Sequence, residues 1–440
     1  MNCERNRMTA KGESKSIMKH TTKFNLFCVA LASAAVLPQP SEAAGLFLYE
    51  MGTPDVGLAG AGYAARAQDP STVFRNPAGM SLLPGSQFQV GLQLTYGSVE
   101  FSQDANTGPS LAGDPNGGNA VGALPAGGIF FSQQLSERWA VGLGAFSYFG
   151  LALDYDDDWV GRYYVQNDAM IGMSLMPAVS FKMNDWLSLG AGLNAMYGYM
   201  EGEMAIRTLG AGDGQLKLRD EVWGFGANAG LMFTPREGTR LGVTYLSAVK
   251  LDFEDTPSFN NLGPLGGLPI FTSPPNLDLG VTVPQSVMLS GYHELNAKWA
   301  ILANVGWQNW DEFGKVEVGV DSANPQSFTK ELNYQDTWHG AIGLQYRASE
   351  KWLLSTGFAY DSAALEDEFR TVSMPIGDTY RIGLGAQWQV SRQVNVGAAY
   401  EFAWFGDLPV NQESVYRGRL SGSFEDSWFS FFNVNMTWRF

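Results

Sequence analysis

Few residues in this chain have types and spacings suited to chemistry. Beyond position 43 the histidines are His293 and His339, and no Ser/His/Asp set can be assigned around them by spacing. The two cysteines, Cys3 and Cys28, both fall in the first 43 residues, so the rest of the chain has no disulfide framework and no thiolate metal site. Gly60-Ala61-Gly62-Tyr63-Ala64-Ala65 has the outline of a dinucleotide fingerprint, but no strand–helix–strand unit surrounds it and the match is by chance. Asp154, Asp156, Asp157 and Asp158 form an acidic run. Trp159 stands where a calcium loop needs glycine, so the run reads as a solvated loop. No catalytic residue, metal or cofactor is expected. One charged pair stands out. Asp361 and Arg381 lie on the inward parity of neighbouring strands, either as a structural salt bridge across the hairpin or with Arg381 as anchor for a ligand carboxylate. Lys250 and Arg207 are weaker candidates for that anchor.

The elements that must position these residues are strands. Of 440 residues only 16% are charged, while 13% are aromatic and 52 are glycine, and mean hydropathy is slightly negative. That balance is too polar for a bundle of membrane helices and fits strands with one apolar and one polar face. The formal net charge of −16 argues against nucleic acid, whose phosphates demand a basic surface.

Residues 1–43 read as a secretory signal peptide, with 1–17 upstream of a true start at Met18. A short basic stretch precedes an apolar core at 24–37, too short to cross a bilayer of about 30 Å as a helix, and Ser41-Glu42-Ala43 supplies small residues for cleavage. Residues 44–84 are Gly/Ala-rich and apolar without alternating. From 85 onward period-2 alternation takes over. In 380–391, Tyr380, Ile382, Leu384, Ala386, Trp388 and Val390 alternate with Arg381, Gly383, Gly385, Gln387, Gln389 and Ser391. A soluble sandwich would put charge on the second face; here it is Gly, Gln, Asn and Ser, as suits a barrel lumen. Fourteen strands are expected, at 86–101, 123–134, 138–152, 168–183, 186–205, 219–235, 239–254, 279–295, 298–320, 334–348, 351–365, 379–391, 393–405 and 424–440. Short turns at one end lead into Trp139, Trp186, Trp299 and Trp352, an interfacial girdle, and long loops mark the other end. The fold class is therefore an all-β membrane protein: a 14-stranded antiparallel transmembrane β-barrel over 85–440, its lumen plugged by 44–84. A barrel of that width holds an open channel unless something fills it.

Asn76-Pro77-Ala78 after a Gly/Ala-rich stretch resembles the hatch of the FadL/TodX-type outer-membrane transporters. Val283-Pro284-Gln285-Ser286, Lys298-Trp299-Ala300-Ile301, Trp307-Gln308-Asn309-Trp310, the run Thr356 to Ser362 and Pro375-Ile376-Gly377-Asp378 extend the resemblance along the chain. It implies passive uptake of long-chain fatty acids or hydrocarbons through a hatch-gated barrel that opens sideways beside a kinked third strand. On that reading Arg75, Asn76, Pro77 and Ala78 seat or gate the hatch, Arg75 either tying it to a lumen carboxylate or lying solvated at the periplasmic mouth. Gly142, Gly144 and Gly150 mark the candidate lateral-gap strand, or else tight packing against the hatch. Phe259, Leu262, Leu265, Ile270 and Phe271 form a candidate external apolar groove. The expected partners are a hydrophobic small molecule, outer-membrane lipid and lipopolysaccharide, and the assembly machinery through C-terminal Phe440, with the protein a monomer in a Gram-negative outer membrane. A surface adhesin or a general porin are the alternatives.

Overall fold

The computed structural model describes residues 47–208, 212–321 and 325–440. Residues 1–46, with the expected signal peptide at 1–43, lie outside the described residues. Strands account for most of the chain: β1 Ser86–Ser98, β2 Phe101–Gln103, β3 Gly122–Gln134, β4 Trp139–Asp154, β5 Asn167–Lys182, β6 Leu187–Ile206 and β7 Gly214–Arg236. The middle of the chain gives β8 Thr239–Leu246, β9 Val249–Asp255, β10 Ser258–Asn260, β11 Asn276–Val283, β12 Ser286–Glu294 and β13 Trp299–Gln308. The last are β14 Lys315–Asp321, β15 Gln326–Glu331, β16 Thr337–Arg347, β17 Trp352–Asp361, β18 Thr379–Gln389, β19 Val394–Ser414 and β20 Gly418–Arg439.

Fourteen of these form one antiparallel barrel, in the order β1-β3-β4-β5-β6-β7-β8-β12-β13-β16-β17-β18-β19-β20. β1 closes it on β20 in unbroken register from Gln87↔Arg439 to Ser98↔Trp428. Closure leaves no edge strand, which a bilayer does not tolerate, although one ladder, β3–β4, is interrupted toward its outer end. Burial is inverted relative to a soluble protein: Leu384 is 57% exposed on the outside, while Asn433 on the inside is 3% exposed. The tight turns are capped by side chains, Ser136 Oγ accepting from Trp139 N (3.1 Å) and Ser349 Oγ from Trp352 N (3.2 Å), which places each indole at the same height.

Three expected strands are too long. The segments 239–254, 279–295 and 298–320 each split, and only β8, β12 and β13 belong to the barrel. Their outer parts, β9, β11 and β14, join β15 in a separate four-stranded sheet ordered β15-β14-β11-β9. Pro284, which has no N–H to donate, separates β11 from β12, and a turn of helix at Trp310–Phe313 separates β13 from β14. The expected loop 406–423 is instead a continuation of β19 and β20, paired out to Ser414↔Gly418 with register shifts near Gly406.

Candidate functional site

The N-terminal segment from 47 to 80 is buried throughout except for half-buried Gln68. It contains three short helical turns, Pro54–Leu58, Thr72–Arg75 and Pro77–Leu82, and packs against the inner faces of the barrel strands. The barrel accommodates it with glycine. A Cβ on Gly91 would lie 1.7 Å from Gly52 O, one on Gly242 1.9 Å from Ala64 O, and one on Gly357 1.8 Å from Leu58 O. Wall amides and hydroxyls then satisfy the segment's backbone: Asn304 Oδ1 accepts from Gly62 N (2.7 Å), Ser290 Oγ from Ala64 N (2.9 Å), and Asn228 Nδ2 donates to Phe74 O (3.0 Å). A non-strand segment inside a barrel needs such partners for its N–H and C=O groups.

Asn76-Pro77-Ala78 fastens the segment to one side of the wall. Asn76 caps the turn that Pro77 begins, its Oδ1 accepting from Ala78 N (3.1 Å), while its Nδ2 donates to Ala64 O (2.7 Å) and to Leu231 O on β7 (2.9 Å). Ser180 Oγ donates to Ala78 O (3.0 Å). Arg75 is neither tied to a wall carboxylate nor solvated. It is buried inside the segment, donating to Tyr49 O (2.8 Å) and Thr53 Oγ1 (2.9 Å), with Asp55 Oδ2 at 3.2 Å. Asp55 also receives Arg66, Nε to Oδ1 at 2.6 Å. Burial pushes the Asp55 carboxyl up, but the two guanidiniums prevail and hold it below its ordinary value.

On the opposite wall Arg381 and Asp361 do meet, Nε donating to Oδ2 at 2.8 Å. They are not alone. Glu50 of the N-terminal segment pairs with Arg381 Nη1, Glu401 of β19 approaches the same nitrogen at 3.3 Å, and His339 Nδ1 lies 2.7 Å from Asp361 Oδ1. Tyr49 stacks on His339 with ring centroids 4.3 Å apart. Glu50, Glu401 and His339 were missed from sequence. Glu401 carried a signal, being an acid on an inward face otherwise almost free of charge. Lys250, by contrast, is on the external sheet, paired with Glu317 at 2.8 Å, and Arg207 Nη2 donates to Ser110 O (2.9 Å) at the external end.

β4 is irregular. Its register with β5 slips between Ser147 and Phe149, and the bulge leaves both Tyr148 and Phe149 fully buried. Its pairing with β3 stops at Gly128↔Phe146, although β4 runs on to Asp154 and β3 reaches out to Gly122. Gly142 and Gly144 lie in the paired half. A Cβ on Gly142 would strike Val73 Cγ2 at 2.4 Å and Met80 Sδ at 2.5 Å, so this glycine makes room for the segment. Gly150 lies beyond the break and pairs with Ile171 of β5. At the break the segment itself reaches β4: Leu48 N donates to Tyr148 O (2.8 Å), and Phe47 bridges Phe149.

An aromatic cluster extends outward from this point. Phe74 and Phe146 (4.5 Å), Phe47 and Tyr148 (5.6 Å), Phe149 and Phe313 (5.9 Å), and Phe313 and Tyr334 (5.3 Å) form its links. The expected groove residues Phe259, Leu262, Leu265 and Phe271 share one external loop with two short helical turns, and the Phe259 and Phe271 rings meet at 5.0 Å; the side chain of Ile270 lies outside the described residues. Leu262 is buried and the others are half-buried. Asp156, Asp157 and Asp158 are exposed, and no metal-binding cluster occurs among the described residues. A polar cavity of about 450 Å³ opens at the tight-turn end, lined by Arg66, Gln68, Gln345, Arg347 and Arg439 among others.

A closed barrel with apolar residues outward, amides inward and residues 47–80 packed against its inner face is an outer-membrane protein. Comparison with known proteins specifies which kind. The family model for outer membrane protein transport proteins (OMPP1/FadL/TodX) matches residues 34–440, and the chain belongs to that family, whose members are transporters and not enzymes. Outer membrane protein P1 of Haemophilus influenzae is 27% identical, the alignment covering 84% of this chain and 88% of the relative. A long-chain fatty acid transport protein of Escherichia coli is 26% identical over 87% of this chain and 92% of its own length. Among solved structures, a Pseudomonas aeruginosa FadL homologue shares the fold with a TM-score of 0.81 at 22% identity, covering 90% of this chain and 100% of its own. The Ralstonia pickettii toluene transporter TbuX shares it with a TM-score of 0.65 at 18% identity, covering 89% and 99%.

Proposed function

We propose that this protein takes up long-chain fatty acids or aromatic and aliphatic hydrocarbons by energy-independent diffusion, with the N-terminal segment as a movable hatch and a lateral exit between β3 and β4. One observation carries the reading: the β3–β4 ladder ends at Gly128↔Phe146, and beyond it β4 takes a hydrogen bond from Leu48 of the segment instead. Movement of the segment would uncover that edge. Ligand caught on the external loop carrying Phe259, Leu262, Leu265 and Phe271 passes along the aromatic cluster to the β4 bulge, and from there leaves toward lipid. An apolar route suits such cargo, because each methylene kept from water is worth about 0.8 kcal/mol. The acceptance of both cargo classes rests on relatives named for fatty acid and toluene transport.

The test is uptake of labelled oleate and toluene by transporter-null cells. The intact protein should raise uptake of at least one above the empty-vector level. A form lacking 44–78 and the milder Asn76→Ala should lose that selectivity and conduct small ions. Empty-vector uptake of both ligands with the intact, membrane-inserted protein refutes the transport reading.

A further inference from the structure

Arg381 is the shared partner of three acidic side chains, and His339 lies on the other oxygen of one of them, Asp361. Three carboxylates, Glu50, Asp361 and Glu401, face one guanidinium, and both Glu50 and Glu401 keep one buried oxygen that accepts no hydrogen bond. A ligand carboxylate therefore cannot simply be added here. It gains Arg381 only by taking the seat of a carboxylate already present.

Two of the three seats are fixed. Asp361 stands on β17 and Glu401 on β19, the two strands hydrogen-bonded to β18 on either side, with pairs Asp361↔Thr379 and Gly383↔Glu401. Glu50 alone comes from the N-terminal segment, next to Tyr49, whose ring stacks on His339 and lies 5.2 Å from Phe47 in the aromatic cluster. The seat that can be vacated thus opens beside the aromatic lining that would hold an alkyl chain.

We propose that Glu50 is a built-in stand-in for a ligand carboxylate: the head group of a long-chain fatty acid exchanges with Glu50 on Arg381, and that exchange releases the N-terminal segment. The exchange trades one carboxylate for another, so the charge and burial around Arg381 are unchanged while the segment loses its tether to β18. A hydrocarbon or fatty alcohol has nothing to offer Arg381 and leaves the tether in place. The proposal rests on the transport reading above and narrows it to a carboxylate-triggered opening.

The experiment uses the purified full-length protein in detergent with oleate and oleyl alcohol, following trypsin cleavage after Arg66 and Arg75, which are buried while the segment is seated. Oleate should accelerate cleavage at least tenfold and oleyl alcohol should not. Glu50→Gln should be cleaved rapidly without ligand and bind oleate about tenfold more tightly, and Glu50→Asp should restore protection. Equal acceleration by oleyl alcohol, or oleate binding with no acceleration, overturns the proposal without recourse to a variant. Cellular uptake of both ligands alongside either result leaves the transport reading standing. Binding of neither ligand together with absent uptake overturns both.

Discussion

Asp55→Asn tests whether the N-terminal segment is held as a folded unit by its internal charges. Asp55 takes Arg66 at 2.6 Å and 2.9 Å and has Arg75 at 3.2 Å, and all three side chains are buried. Removing the acid leaves Arg66 with Asp69 and strips Arg75 of its carboxylate. Breaking a buried pair from one side costs about 3–5 kcal/mol, because an uncompensated charge stays behind. That is roughly a hundred- to several-thousand-fold in the equilibrium between seated and released segment. The barrel ladder is untouched, so the variant should keep the heat-shifted gel mobility of a folded barrel. Trypsin reads the released population directly when reseating outpaces cleavage, and the sites are Arg66 and Arg75 themselves. Cleavage of the variant within threefold of the parent rate would sink the idea. The pH dependence has a definite sign. The carboxyl is held below its ordinary value, so its stabilisation is complete above about pH 4 and is lost only as pH falls through the lowered value. The ratio of Asp55→Asn to parent cleavage rates should therefore be flat from pH 8 to pH 5, and a change of that ratio within the interval would contradict the assignment.

Glycine at the wall should be tolerant or intolerant according to what faces it. Gly357→Val drives a side chain into Leu58 O and should unseat the segment, seen as trypsin sensitivity and increased ion conductance. Gly291→Ala meets only Leu241 Cδ2 at 3.6 Å and should leave both readouts unchanged. Leu384→Arg places a charge on the lipid face and should destabilise the barrel by about 2–4 kcal/mol in urea unfolding from bilayers, an effect an inward position would not show. Trp159→Ala removes an indole stacked on Tyr155 at 4.1 Å whose Nε1 donates to Val165 O (2.8 Å). It should cost about 3–5 kcal/mol locally, exposing loop 155–166 to chymotrypsin while the barrel stays folded.

Strand number and facing could be read from sequence because a side chain in a barrel has two environments and no third, so parity survives along every strand. The same regularity hid the external sheet. Val249, Leu251 and Phe253 are buried and alternate with exposed Lys250, Asp252 and Glu254 just as they would in the barrel, so the pattern continues across a point where the strand changes sheets. The extended β19–β20 hairpin was obscured differently: Gly406, Asp407 and Pro409 punctuate it like a loop, but Leu408, Val410, Leu420 and Phe424 still pack inward. Arg381 and Asp361 were found because they are near neighbours in the sheet. Glu50 is separated from Arg381 by 331 residues, and no periodicity connects an irregular segment to a strand.

The chemistry of the inner wall bears on the proposal that the segment is firmly seated and still leaves when ligand binds. An apolar wall would hold a hatch by burial, and release would expose that apolar surface to water at about 25 cal/mol for each Å². This wall is only partly of that kind: it also offers bare backbone at Gly91, Gly242 and Gly357, and side-chain amides and hydroxyls at Asn228, Ser290 and Asn304. Hydrogen bonds of this kind exchange with water at a net difference near 1 kcal/mol each, so an emptied wall is wettable. Apolar burial adds to these bonds where Leu58, Ala61 and Ala65 pack with Leu302 and Ala359, Val73 and Met80 with Ala140 and Ala178, and Phe74 with Phe146 and Tyr148. Seating is therefore a sum of many exchangeable bonds, some apolar burial and a charged contact at Arg381, and on the proposal above a change at that contact shifts the whole sum.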